Sequence, residues 1–171
     1  MSVPLPFDPI ERAAESWAKH YPEAGEGVYT AMRAVTSIMR AQQILIAGLD
    51  AALRPFGLTF SRYEALVLLT FSSTGALPLS KIGERLQVHA TSVTNVVDRL
   101  ETAGLVQREP NPRDGRGTLA VITAEGREVV DRATRELHLD RFGLAGVAED
   151  DLRRLFTILR RLRVDAGDFA D

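Results

Sequence analysis

Four short hydrogen-bonding side chains, Thr91, Ser92, Thr94 and Asn95, stand close together with His89 just ahead of them. They alternate with Val93, Val96, Val97 and Leu100, whose offsets of 0, 3, 4 and 7 mark the inner face of a helix. The polar set therefore occupies the outer face, in the N-terminal half. Such a face can hydrogen-bond base edges in a DNA major groove, and the helix start offers free amides to a phosphate. The same residue types are also common as simple helix caps. His89 could touch a phosphate or base, or merely cap the helix. Farther along, Arg113, Asp114 and Arg116 stand in Pro110-Asn111-Pro112-Arg113-Asp114-Gly115-Arg116-Gly117. The arginines supply charge, and Asp114 can hold one guanidinium in a fixed pose. Taken alone, that loop reads as a solvated turn.

The neighbouring elements give these groups a geometry. Ser80 can cap a small helix with Ile82 and Leu86 inward, and the chain breaks near Gln87-Val88. The next helix begins around Ala90 and closes at Gly104. Beyond it, Leu105–Glu109 and Thr118–Thr123 are β-prone and flank the basic tip, as in a hairpin with a long loop. Two short helices and then such a hairpin, over Leu79–Thr123, describe a winged helix–turn–helix. Its second helix enters the major groove, and its wing follows the backbone toward the minor groove. Charge alone does not support this. Lys81, Arg85, Arg99, Arg108, Arg113 and Arg116 face Glu84, Asp98, Glu101, Glu109 and Asp114 within that unit.

Long helices flank the module. Residues 1–27 form an N-terminal extension with several prolines and a short helix, Ile10–His20, presenting Ala13, Ala14, Trp17 and Ala18 on one side. Val28, Met32, Val35, Ile38, Met39, Leu45, Ile46, Leu49 and Leu53 then mark a helical stripe that stops at Arg54-Pro55. Ser61-Arg62-Tyr63-Glu64 reads as a capping box opening the next helix. After the hairpin, Thr123 can cap a helix running to about Phe142. Glu149, Asp150 and Asp151 open a last helix with Leu152, Leu155, Phe156, Leu159 and Leu162 on its apolar face. The expectation is a mainly α chain. Residues 57–123 would be the winged helix–turn–helix, with dimerisation helices at 28–56 and 124–165. Those stripes are more than one chain can cover, so a homodimer is expected.

Several function classes are excluded. The 171 residues are 45% hydrophobic and 26% charged, with net charge −2, which fits one ordinary globular unit. There is no cysteine, and His20, His89 and His138 are scattered, so no metal site or cofactor is expected. No phosphate loop, nucleophile elbow or paired apolar carboxylates occur, so an enzyme is not expected. No apolar run approaches the roughly 18 residues of a membrane span, and Met1–Pro9 lacks a basic residue. A cytoplasmic protein without a membrane partner follows.

Leu86-Gln-Val, Ser92-Val-Thr-Asn-Val-Val-Asp-Arg-Leu-Glu, Ala103-Gly-Leu-Val-Gln-Arg-Glu-Pro, Pro112-Arg-Asp-Gly-Arg-Gly and Val121-Ile-Thr-Ala-Glu-Gly-Arg resemble the MarR family of bacterial transcription regulators. The flanking helices agree in order. The resemblance implies a homodimer that binds a palindromic operator, often as a repressor released by a small aromatic ligand. It places DNA contacts on Thr91, Ser92, Thr94 and Asn95, the wing arginine on Arg116 and its orienting acid on Asp114. Gly115 stands where many members carry a second arginine, which leaves Arg113 as the second cation. Trp17, Arg40, Tyr63 and Glu64 could line a ligand pocket, or serve as packing anchors and an ion-pair partner. A short helix with a tryptophan ahead of the long one resembles the urate-responsive branch. That branch has an arginine where this chain has Val96, so an anionic urate is not expected. The rival reading is a winged helix used only for protein association.

Overall fold

The computed structural model describes residues 4–112, 114 and 117–170. Its first helix, α1 (Pro9–His20), opens where the Asp8 carboxylate accepts the Ile10 amide at 2.8 Å. Pro9 supplies the fixed φ of a first helical position. The helix α2 (Glu26–Leu53) is 28 residues long, about 42 Å at 1.5 Å per residue. Then come α3 (Phe60–Phe71), β1 (Ala76–Pro78), α4 (Leu79–Leu86), α5 (Ala90–Thr102), β2 (Val106–Pro110), β3 (Thr118–Ile122), α6 (Ala124–Leu139) and α7 (Glu149–Asp165). The winged helix–turn–helix is α3 to β3.

The core lies inside that module. Leu66 and Leu69 of α3, Ile82 of α4, Val93, Val97 and Leu100 of α5, and Ala133 and Leu137 of α6 are sealed from solvent. From α2 only the far end, Leu49 and Leu53, joins this cluster. The three strands form one antiparallel sheet in the order β1-β3-β2, with Leu77 opposite Ala120 and Arg108 opposite the same residue on the other side. Gly104 takes a left-handed φ of 74° after α5, which lets the Leu105 amide return to the Leu100 carbonyl at 2.9 Å. That turn aims β2 back along α5. Gly126 is required for a different reason: a Cβ there would lie 2.2 Å from the Leu105 carbonyl oxygen, so α6 can start only by backbone approach.

Three helix ends differ from the sequence expectation. Ser61 and Glu64 do not form a capping box. Thr59 is the N-cap of α3, and the Phe60 amide donates to Asp50 Oδ1 of α2 at 2.7 Å. A partner from another helix replaces the local one. Ser80 does not cap α4, because β1 runs directly into Leu79 with Pro78 at the cap. The helix begun by Thr123, whose hydroxyl accepts the Gly126 amide at 2.9 Å, ends at Leu139 rather than Phe142. Arg141 and Phe142 are left-handed (φ 47° and 57°) and turn the chain away.

Much apolar surface stays uncovered. α7 buries no residue, and its Phe156 and Ile158 are 63% and 64% exposed. On α2, Val28, Val35, Ile38, Met39 and Ile46 of the predicted stripe are exposed. α1 packs chiefly on the start of α2. It is pinned there by Arg33, which bonds Glu11 at 3.1 Å and Glu26 at 3.0 Å, and by the Tyr29 hydroxyl donating to the Tyr21 carbonyl at 2.6 Å.

Candidate functional site

The valine–leucine stripe of α5 faces the core, so Thr91, Ser92, Thr94 and Asn95 are turned to solvent. His89 is the N-cap: its Nδ1 accepts the Thr91 amide at 3.3 Å and lies 3.1 Å from the Thr91 hydroxyl. The Thr94 hydroxyl donates to the Ala90 carbonyl at 3.1 Å, which spends its proton on the helix itself. Ser92 and Asn95 make no side-chain hydrogen bond among the described residues. Asn95 shares a shallow depression with Arg99 on the next turn and with Ser61 and Arg62 at the start of α3. This face is polar and exposed, with Ser92 and Asn95 unspent.

The wing is tied to that helix by Arg108 of β2. Its Nη1 lies 2.6 Å from both Asp98 Oδ1 and Glu101 Oε2, and its amide donates to Glu101 Oε1 at 3.2 Å. Partial burial works against the charge of the Arg108 guanidinium. The hydrogen bonds to Asp98 and Glu101 outweigh it and hold the pKa above the ordinary arginine value. Lys81 pairs likewise with Glu84 at 2.6 Å. Lys81 and Arg108 are therefore engaged with acids of the module, whereas Arg99 makes no ion pair among the described residues. At the wing tip the Asn111 amide donates to the Gly117 carbonyl at 2.9 Å and the Gly117 amide to the Asp114 carbonyl at 2.8 Å. Asp114 is exposed beside this closed turn. Arg113, Gly115 and Arg116 lie outside the described residues.

A second feature is a cavity of about 610 Å³ between α3 and α6. Phe60, Tyr63, Glu64 and Val67 line it from α3, and Arg127, Asp131, Thr134 and His138 line it from α6. Phe142 closes one end, its ring 5.9 Å from that of His138. The Tyr63 and Thr134 hydroxyls are 3.0 Å apart and bridge the two helices. Burial pushes the Glu64 carboxyl above its usual range.

A family model described as MarR family matches residues 60–118. The crystal structure of Sco5413, a MarR family transcriptional regulator from Streptomyces coelicolor, is 60% identical and superposes with a TM-score of 0.77, over 83% of this chain and 99% of that one. The chain belongs to the MarR family. Its other relatives include the HTH-type transcriptional regulator YkoM of Bacillus subtilis, 33% identical over 60% of this chain and 67% of that protein. Sco3205 of Streptomyces coelicolor, a MarR family regulator solved in complex with DNA, is 27% identical with a TM-score of 0.69, over 75% of this chain and 82% of that one. The family's members are transcription regulators, not enzymes.

His89, Thr91, Ser92, Thr94, Asn95 and Asp114 stand on the helix and wing where the pattern set them. Of the residues expected around a pocket, Tyr63 and Glu64 share the cavity, and Trp17 and Arg40 lie elsewhere. Trp17 packs on Tyr21 with ring centroids 5.5 Å apart, and Arg40 is exposed in the middle of α2, bonding Gln43 at 3.2 Å. α1 packs on α2 beside Arg33 and Tyr29, and Trp17 goes with it. Arg99, Arg62 and the α6 wall were missed. Arg99 stands one turn after Asn95, and residues 127, 131, 134 and 138 carry helical spacing, so the signal was present in both.

Proposed function

We propose that this chain is a homodimeric, sequence-specific DNA-binding regulator that acts in the cytoplasm as a repressor on a palindromic operator. The exposed polar face of α5, with Ser92 and Asn95 unspent and the helix held against the wing by Arg108, carries this reading. Thr91, Ser92 and Asn95 read base edges in the major groove, with His89 and the helix start near a phosphate. Arg113 and Arg116 serve the backbone and minor groove, with Asp114 orienting a guanidinium. The DNA complex of Sco3205 supports the mode of binding. The uncovered apolar faces of α2 and α7 support a second copy as their cover. The cavity between α3 and α6 holds a small aromatic effector, with Tyr63 and Glu64 in its wall. It sits between the module and the turn at Phe142 that leads to α7, so its filling can alter the spacing of two recognition helices. Two measurements test this reading. Fluorescence anisotropy on random duplex DNA should give binding that weakens steeply with salt, and light scattering at micromolar concentration should give a dimer. Salt-independent or absent DNA binding, or a folded monomer, contradicts it.

A further inference from the structure

The wall of the α3–α6 cavity is not electrically neutral. Glu64 is half-buried there, and its carboxylate has no hydrogen-bond or ion-pair partner among the described residues. The hydroxyls of Tyr63 and Thr134 already bond each other. Asp131 adds a second carboxylate, shared with Arg135 on its own helix. Arg127, the arginine of the lining, stands at the opposite end, while the His138 ring lies against Phe142. Tyr63 faces Thr134, and Arg127 is two helical turns earlier, about 10 Å away along α6. There its guanidinium crowds Gly75 beyond α3, and it makes no ion pair among the described residues. The Glu64 end thus has a carboxylate, a nearby acid, and the stacked rings of Phe60 and Tyr63, 6.1 Å apart. An anionic guest there would strip water from Glu64 and add repulsion, and a neutral one returns at most a single hydrogen bond. A cationic guest repays that loss and also finds aromatic faces.

We infer that this cavity selects a small aromatic ligand bearing a protonated amine, with Glu64 as its counter-charge and Phe60, Tyr63 and Phe142 around its apolar body. The inference rests on the proposal that this cavity is the effector site, and it narrows the class from aromatic to aromatic amine. It is tested on the full chain by calorimetry with three probes of one shape: 3-phenylpropylamine, 3-phenylpropanol and 3-phenylpropanoate. The amine should bind about tenfold or more tightly than the alcohol, and the acid most weakly. Glu64→Gln should erase the preference for the amine over the alcohol. Tyr63→Phe, which keeps the ring, should retain the preference. An acid that binds as well as the amine, a preference that survives Glu64→Gln, or no binding by any probe overturns the inference. Anisotropy on duplex DNA with the same samples separates the two readings: DNA binding without amine selectivity defeats only this one.

Discussion

Arg108 Nη1 lies 2.6 Å from Asp98 Oδ1, joining the first wing strand to the recognition helix by a charge-assisted hydrogen bond. Glu101 accepts from the same nitrogen at 2.6 Å, so one guanidinium spans nearly a full turn of α5. Arg108 therefore sets the angle between the two elements that would meet DNA.

Replacing it tests whether that angle matters. Arg108→Met keeps the length of the side chain and removes the clamp, and should weaken binding to a preferred duplex by about 1–2 kcal/mol. Because Arg108 is spent on Asp98 and Glu101, the slope of affinity against salt should hardly change. A slope lowered by about one unit would instead mark it as a phosphate ligand.

The recognition helix and the wing should respond differently to truncation. Asn95→Ala should relax preference at one or two base positions, by about 1–3 kcal/mol. Arg116→Ala should weaken all sequences alike and flatten the salt slope by about one unit for each phosphate left without its cation. Competition binding with single-base variants, repeated over a salt series, distinguishes the two patterns. If Arg116→Ala changes neither affinity nor slope, the wing does not touch DNA.

Glu64 makes a prediction about stability and pH. Burial raises its folded pKa, so the native state favours the neutral carboxyl. The sign follows from linkage: this contribution to stability is full at acid pH and is lost as pH rises through the raised value. Glu64→Gln should therefore melt above the parent protein at pH 7, with the gap closing below the ordinary glutamate range. Arg127, Asp131 and His138 face the same space; burial is the cause of the Glu64 shift, and it acts only on the ionisable side chain of the parent. Thermal melts of the pair across pH 4 to 8 check this, and a gap that widens toward acid pH would refute it.

The legible parts of this fold were those written in one element. The α5 stripe, the Gly104 stop and the Thr123 cap each depend on residues within a few positions, and the structure reproduces them. The parts that escaped depend on distant partners. Asp50 caps α3 from the end of α2, which made the local Ser61–Glu64 pattern misleading. Arg108 meets Asp98 and Glu101 only because Gly104 turns the chain back on itself. The α3–α6 cavity likewise depends on two elements distant in sequence, and neither helix alone announces the pairing.

Selection of bound sequences from a random duplex pool tests the central claim most directly. Two recognition helices related by a two-fold axis would sit about one DNA turn apart. The enriched sequences should share an inverted repeat with roughly 10 bp between half-site centres. Asn95→Ala should blur one or two positions in each half. No enrichment, or a single unrepeated half-site, would contradict the account.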